Sequence, residues 1–446
     1  MNTHLDPPQA WQTTPDRKML LAPLPLRDSA SATGDPLTID DTRLGQTMDG
    51  FGASLTDSSA YVISRLPAAR RDALLRDLFD PIAGIGFSVL RVPIGASDFT
   101  VKGSYTCHDL PSGVTDPELT RFSIAHDQEY ILPLLRQIRR IRPDLKVMVS
   151  PWTAPAWMKT NRSLHGGWLD WPAYPAFAQY LVRFVKAYAK ENVPIWSLTV
   201  QNEPRHETDK YPSMRMEPHD QARFIRDHLG PALEKAGLKT KILVWDHNWD
   251  GADFPLGVLS DAGARKYVAG VAWHGYGGTP DLQEKVRSAY PDQEMHFTES
   301  SGGEWATDFG ANMRWDMENL IAGSTRYGAR TVLKWNLALD EKFGPQNGGC
   351  ANCRGIVTVH SRTGEVTRSE EYYAFGHASK FVRPGARYLV VPPMSDLPFA
   401  AFRNPDGSVV WVGCNARKTE RALRLRAGSR SAAVALPPGA VVTVRL

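Results

Sequence analysis

The stretch that decides the fold runs Phe177-Ala178-Gln179-Tyr180-Leu181-Val182-Arg183-Phe184-Val185-Lys186-Ala187-Tyr188, passes Pro194, and continues Ile195-Trp196-Ser197-Leu198-Thr199-Val200-Gln201-Asn202-Glu203-Pro204. In its first part Phe177, Tyr180, Leu181, Phe184, Val185 and Tyr188 fall at i, i+3, i+4, i+7, i+8 and i+11, one face of an α-helix. Pro194 sits where that helix must already have stopped. The run Ile195–Val200 is short and apolar without alternation, as a strand covered on both faces of a parallel sheet has to be. A helix that hands over to a doubly buried strand is the repeating unit of an α/β protein.

Working outward, the same kind of run recurs at Thr47–Leu55, Phe87–Ile94, Lys146–Pro151, Lys241–Trp245, Val268–Trp273, Met295–Thr298 and Thr331–Leu337, which makes eight. Ile131, Leu134, Leu135, Ile138 and Ile141 repeat the helical signal, and Pro143 follows their end. Asp57 with Ser58 and Ser59 offers a capped start to the helix after the first strand. Eight alternations predict a (β/α)8 barrel. The alternative is a doubly wound open sheet, but no G-x-G-x-x-G turn follows the first strand.

Beyond about Val382 the pattern changes to short strands, as in Val409-Val410-Trp411-Val412-Gly413-Cys414, with turn signals at Pro405–Gly407 and Pro437–Gly439. The segment Trp11–Ile39 is also extended and broken by Pro and Gly. The expected architecture is therefore the barrel with an attached antiparallel β-sandwich drawn from both chain termini: residues 1–45, barrel 46–380, and residues 381–446. At 446 residues and 42% hydrophobic content the chain can bury enough apolar surface to order both. Its 52 Lys+Arg and 48 Asp+Glu nearly cancel and no long basic run exists, so nucleic acid is not an expected partner. No transmembrane segment is expected, because Met19–Leu26 is interrupted by Pro23 and Pro25. The start MNTHLDPPQA carries no signal-peptide pattern.

In such a barrel the chemistry sits at the C-terminal ends of the strands. Those ends carry Arg91 and Asp98, Trp152, Asn202 and Glu203, Asp246 and His247, His274 and Tyr276, Glu299, and Trp335 with Asn336. Indole faces beside carboxylates and amides suit a sugar, whose C–H surfaces stack and whose hydroxyls hydrogen-bond. Glu203 and Glu299 come directly off the fourth and seventh strands, 96 residues apart (299 − 203), and a closed barrel can aim them at each other. Glycoside hydrolysis needs such a pair, one acid to protonate the leaving oxygen and one carboxylate to meet the oxocarbenium-like centre. An acid at a strand end also serves as a helix cap or a salt-bridge partner; the shared barrel end and Asn202 beside Glu203 favour catalysis. Trp157, Trp168, Trp171 and Tyr174 read equally as a binding platform or as packing, and His108, His126, His206, His219 and His228 show no metal spacing. Asp246 and His247 are candidate supports without an assigned role.

With these residues in place, the chain resembles glycoside hydrolase family 30, which includes lysosomal glucosylceramidase. The resemblance rests on Asp49-Gly50-Phe51-Gly52-Ala53, Leu55-Thr56-Asp57, Arg91-Val92-Pro93, Ser97-Asp98-Phe99, Ser150-Pro151-Trp152-Thr153-Ala154-Pro155, Trp157-Met158-Lys159-Thr160-Asn161, Gln201-Asn202-Glu203-Pro204, Thr298-Glu299, Trp335-Asn336-Leu337-Ala338-Leu339 and His377-Ala378-Ser379-Lys380-Phe381, all in family order. It implies a retaining β-glycosidase with Glu203 as acid/base and Glu299 as nucleophile. It also implies Asp98, Trp152, Asn202, Tyr276 and Trp335 in the sugar pocket, Arg91 and His274 as supports around the nucleophile, and no cofactor or metal. The implied substrates are β-D-glucosides, glucosylceramide or β-1,6-glucan; a β-xylosidase or a noncatalytic carbohydrate-binding barrel are the alternatives. Family members commonly work outside the cytoplasm, which implies an exported protein.

One loop departs from the lysosomal pattern: Phe343-Gly344-Pro345-Gln346-Asn347-Gly348-Gly349-Cys350-Ala351-Asn352-Cys353-Arg354-Gly355. It resembles loops of microbial members, some of which cleave β-1,6-glucan. If it edges the pocket, Gln346, Asn347 and Arg354 select the aglycone or the second sugar, and Asn347 is taken as a substrate-binding residue. Cys350 and Cys353 are expected as a loop-stiffening disulfide or as two free thiols; zinc is disfavoured because no second matching Cys pair exists.

Overall fold

The computed structural model describes residues 7–26 and 34–446; the parts of the expected N-terminal segment at 1–6 and 27–33 lie outside the described residues. Eight strands form a closed barrel: β1 (Gly50–Ser54), β2 (Val89–Ile94), β3 (Lys146–Pro151), β4 (Ile195–Thr199), β5 (Lys241–Asn248), β6 (Val268–His274), β7 (Glu294–Glu299) and β8 (Ala329–Lys334). Every neighbouring pair is parallel, and β8 closes on β1 through Thr331↔Gly50 to Lys334↔Ala53. The barrel expected from the eight apolar runs is the barrel observed.

Helices cover the outside. Tyr174–Lys190 buries the face carried by Phe177, Tyr180, Leu181, Phe184, Val185 and Tyr188, and Ile131–Ile141 buries Ile131, Leu134, Leu135 and Ile138. The helix after β1 is Asp57–Ser64, but its cap is Thr56, whose Oγ1 accepts the Ser59 backbone N–H at 3.1 Å. Asp57, one residue further in, accepts instead from Val101 N and meets His126.

Inside the barrel, Val89, Met148, Leu243, Ala272 and Leu333 form a separate apolar layer. Below it, charged groups at the strand starts seal the N-terminal end: Arg330 bonds Asp49 at 2.7 Å and Glu294 at 2.8 Å, while Lys241 bonds Glu294 at 2.7 Å. Above it lies the polar floor of the site.

The sandwich draws on both chain ends. Its larger sheet runs Ala22–Leu24, Gln9–Thr13, Val441–Arg445, Val409–Cys414, Phe399–Arg403, Arg387–Leu389, Leu44–Thr47; its smaller sheet runs Arg430–Leu436, Arg421–Ala427, Asp35–Ile39. Asp35–Ile39 pairs in parallel with Arg421–Ala427, the one departure from antiparallel order in the module among the described residues. Val409–Cys414 is buried along its whole length and packs in part against the wide helical turn Asp316–Ser324 of the barrel. Helix Glu370–Ser379 ties the two domains together, with His377 hydrogen-bonded between Thr13 Oγ1 (2.9 Å) and Thr443 Oγ1 (2.8 Å).

Candidate active site

Backbone strain collects where the strands end. Glu203 (φ 47°), Trp245 (φ 74°), Asp246 (φ 58°) and Asn336 (φ 52°) all adopt left-handed conformations just past or at the tips of β4, β5 and β8. A non-glycine residue held there costs about 1–3 kcal/mol, so the surroundings must over-determine it. At the β4 exit they do so by tying it to the strands on both sides: Asn202 N–H donates to Pro151 O of β3 (2.8 Å) and Glu203 N–H to Asp246 O of β5 (3.0 Å). At Glu203 the result is direction, since the turn brings the side chain into the lining of the barrel mouth.

Asp246 is the hub of what gathers there. Its Oδ2 accepts from Arg91 Nη2 (2.7 Å), Ser150 Oγ (2.7 Å) and Thr199 Oγ1 (2.8 Å), and its Oδ1 meets Thr298 Oγ1 (2.7 Å) and His274 Nε2 (3.0 Å). Five strands are thereby joined to a carboxylate with no solvent exposure. Burial raises its carboxyl, but Arg91 and His274 overcome this and hold Asp246 far below the ordinary carboxylate range. Arg91, equally buried, also donates from Nη1 to Glu299 Oε2 (2.5 Å) and from Nη2 to Asn202 Oδ1 (2.7 Å). Its guanidinium lies 4.9 Å from the centre of the Trp152 ring and 5.7 Å from that of Trp335, which stack on each other at 5.3 Å.

Glu203 and Glu299 face each other across this floor with carboxylate oxygens within 4.8 Å, and a His274 ring nitrogen lies within the same distance of both. Direct attack by a carboxylate needs the two carboxyl groups roughly 5–5.5 Å apart and a water between them roughly 6.5–9.5 Å, and so close an approach of oxygens favours the first. His274 Nδ1 bonds Glu203 Oε1 at 3.0 Å, and His274 Nε2 stands 3.8 Å from Glu299 Oε2, so the imidazole serves chiefly the first acid. Tyr276 donates its hydroxyl to Glu299 Oε1 at 3.0 Å. Burial works against a charged His274, but Glu299, Asp246 and Glu203 together take it up to about 9. Burial likewise raises Glu203, yet the His274 hydrogen bond and the charges of His247 and His274 pull it down to about 2. Glu299 moves up through burial and the charge of Glu203, with His274 and Arg91 opposing.

The pocket holds about 380 Å³. Asp98, Trp152, Asn202, Tyr276 and Trp335 line it together with the two glutamates, while Arg91 and His274 stand behind them. Burial and the charge of Glu299 hold the Asp98 carboxyl well above its usual range, which lets it both donate to and accept from a hydroxyl. Asn347 is placed differently from the other expected substrate-binding residues. Its backbone N–H donates to Asp98 O (2.7 Å), and its amide reaches Ser104 Oγ (3.1 Å) rather than the pocket. Gly349 presses on Asp98 so closely that a Cβ there would lie 2.4 Å from the carboxylate. Gln346 is exposed, and Arg354 is paired with Glu370 and Glu371. Cys350 and Cys353 form a disulfide that contributes to the pocket wall. His206, Tyr211, His247, Asn248 and Trp305 complete the lining; aromatic and histidine residues soon after β4 and β7, and His247 at the end of β5, were the available signal for them.

A closed parallel barrel with two opposed carboxylates and stacked indoles at its C-terminal mouth defines a carbohydrate-cleaving site. Residues 48–382 match the glycosyl hydrolase family 30 TIM-barrel domain and residues 387–444 the glycosyl hydrolase family 30 beta sandwich domain; the chain belongs to this family and is an O-glycoside hydrolase. It is 35% identical over 402 residues to an endo-1,6-beta-D-glucanase of Neurospora crassa, covering 85% of this chain and 81% of that protein. It is 31% identical over 428 residues to the lysosomal acid glucosylceramidase of Mus musculus, covering 90% and 81%. Among solved structures, the endo-beta1,6-glucanase BT3312 superimposes with a TM-score of 0.91 at 32% identity, covering 99% of both chains.

Proposed function

We propose that the protein is a retaining endo-acting hydrolase of β-1,6-linked glucan, with Glu203 as acid/base and Glu299 as nucleophile. The observation that carries this reading is the approach of the two acids to within 4.8 Å over a pocket walled by Trp152 and Trp335. The choice of glucan over glucosylceramide is supported by the relatives whose names specify 1,6-beta-D-glucan and by the solved glucanase that matches over 99% of the chain.

His274 is raised and Glu203 lowered, so without a sugar between the acids the shared proton stays on the His274 side of the pair. Moving that proton along the 3.0 Å Nδ1···Oε1 bond yields neutral imidazole and protonated Glu203 without any exchange with solvent. An aglycone seated against Glu203 excludes water and favours the neutral pair over the ion pair. Glu299, held by Arg91 and Tyr276, then attacks C1 as the carboxylate; the C1–O bond breaks and Glu203 gives its proton to the departing oxygen. In the second half Glu203 takes a proton from water, the resulting hydroxide attacks C1, and Glu299 leaves as carboxylate.

Glu203→Gln is expected to lose most activity on poor leaving groups while still forming the glycosyl-enzyme from activated aryl β-glucosides; Glu299→Gln is expected to abolish both. Equal losses on both substrates in the first variant would overturn the assigned roles. Products from β-1,6-gluco-oligosaccharides, measured beside glucosylceramide, separate the modes: disaccharide release supports endo action, and glucose alone supports exo action. The Cys350–Cys353 disulfide supports work in an oxidising compartment outside the cytoplasm. Among the described residues no helix is long and apolar enough to cross a membrane. The division at 1–45, 46–380 and 381–446 is proposed as the domain organisation.

A further inference from the structure

Loops from four strands are joined through His165, a half-buried residue of the loop after β3. Its Nδ1 lies 2.8 Å from Asp209 O in the loop after β4, and its Nε2 lies 2.8 Å from Ser104 Oγ in the loop after β2. A carbonyl oxygen only accepts, so Nδ1 carries the proton; the neutral imidazole then accepts at Nε2, and Ser104 donates its hydroxyl there. Ser104 Oγ in turn accepts from Nδ2 of Asn347 (3.1 Å), in the loop after β8, whose backbone N–H donates to Asp98 O (2.7 Å). The chain of hydrogen bonds runs without a break from Asp209 to Asp98.

Both of its ends serve the pocket wall. Asp98 sits in a turn closed by Ala96 N–H on Tyr105 O (2.9 Å), Ser104 lies on the return leg, and Asn347 bridges the two legs by reaching Asp98 O, Ser97 O (3.4 Å) and Ser104 Oγ. The aim of the Asp98 carboxyl follows from this backbone. At the other end, Met216 N–H on Pro204 O (3.0 Å) closes the base of a loop in which His206 and Tyr211 hydrogen-bond each other (2.7 Å) and line the pocket next to Glu203. A misplacement of about 1 Å in groups that hold a substrate costs up to about 100-fold in rate. We infer that His165 is a positioning residue: through Ser104 and Asn347 it locks the loop that aims Asp98 to the loop that carries His206 and Tyr211, which fixes the spacing between the sugar-holding side and the acid/base side of the pocket.

This inference rests on the reading of Asp98 as a sugar-binding residue, and the test separates the two. A double-mutant cycle of His165→Phe and Asp98→Ala is read as kcat/KM on an activated aryl β-glucoside. His165→Phe is expected to lower it about three- to tenfold in the native background, the scale of one or two neutral hydrogen bonds, and under about twofold once Asp98 is gone. A glutamine amide reaches the place of Nε2 and an asparagine amide only that of Nδ1, so His165→Gln should keep most of the activity and His165→Asn should behave like His165→Phe. A residue that only supports folding makes no such distinction. Ser104→Ala cuts the chain from the other side and should reproduce the fall even if His165→Phe does not fold. Hydrogen exchange on the same proteins needs no substrate: segments 95–106 and 343–350 should exchange faster in His165→Phe and keep native protection in His165→Gln. The same fall in both backgrounds, equal effects of His165→Gln and His165→Asn, or unchanged exchange of both segments overturns this inference alone. An Asp98→Ala enzyme as active as the native one overturns the sugar-binding role of Asp98 and the inference with it. A native enzyme without turnover overturns the proposed function, and the exchange result then decides whether the lock exists.

Discussion

Asp246→Asn puts the floor of the site to its hardest test, because it keeps the shape of the side chain and removes only its charge. Asp246 Oδ2 accepts three donors, Arg91, Ser150 and Thr199, so the single amide oxygen must stay there; the amide nitrogen replaces Oδ1 and faces Thr298 and His274 Nε2. An N–H pointed at Nε2 holds the imidazole neutral with its proton on Nδ1. His274 then loses part of the rise from 6.5 to about 9, which amounts to about 3 kcal/mol shared among Glu299, Asp246 and Glu203 against the opposing effect of burial.

The sign follows from the direction of that shift. A histidine raised above its unfolded value contributes stability in full below about 6.5 and loses it as pH rises through about 9, so the variant should show a flatter decline over that window. The basic limb of the kcat/KM profile, which reports loss of the proton shared by His274 and Glu203, should move down by at least about one pH unit. Arg91 loses one of its two anionic partners while fully buried, and with Glu299 and Asn202 still in place the expected stability loss is about 3 kcal/mol, the lower end for a broken buried pair. Urea unfolding at pH 6 and pH 9, with pH–rate profiles on one aryl glucoside, measures both effects. A variant as stable as the native protein with an unmoved basic limb would refute the role given to Asp246 as the group that keeps a proton beside Glu203.

Two further substitutions probe the surroundings. Gly349→Ala places a Cβ 2.4 Å from both the Cβ and a carboxylate oxygen of Asp98, so kcat/KM should fall about tenfold or more through displacement of Asp98, and urea unfolding should show a loss of about 1–3 kcal/mol from overpacking. His377, buried and neutral between two threonine hydroxyls, is lowered by burial to about 3, so native stability is lost as pH falls from 6.5 toward 3 by up to roughly 5 kcal/mol; His377→Gln should shed one proton's worth of that slope, and an unchanged slope counts against it.

Much of the fold was legible because burial on both faces leaves a mark that survives without tertiary information. Lys146–Pro151 is apolar with no alternation and is a barrel strand with the same ends. The run Thr47–Leu55 was legible only in part. It spans two strands in different sheets, Leu44–Thr47 in the sandwich and Gly50–Ser54 in the barrel, and hydrophobicity alone does not record a change of partner. At the site, Glu203 and Glu299 stood out because each follows an apolar run directly. The Asp246 role did not, since Trp245-Asp246-His247 looks like any polar strand end until residues 91, 150, 199, 274 and 298 converge on it. Asn347 and Arg354 drew attention as polar residues in a Gly-rich loop, but their side chains are occupied by Ser104 and by Glu370 and Glu371.

Local pattern, then, was enough to specify eight strands, their order, the end of the barrel that carries chemistry, and the two acids there. Those are properties of period and position along one chain, set by which faces must leave water. Which proton sits on which group, and which surface a sugar chain can touch, was decided only by folding. Charges separated by a hundred residues or more perturb one another over a few ångströms, and a cavity takes its shape from loops that share nothing in sequence.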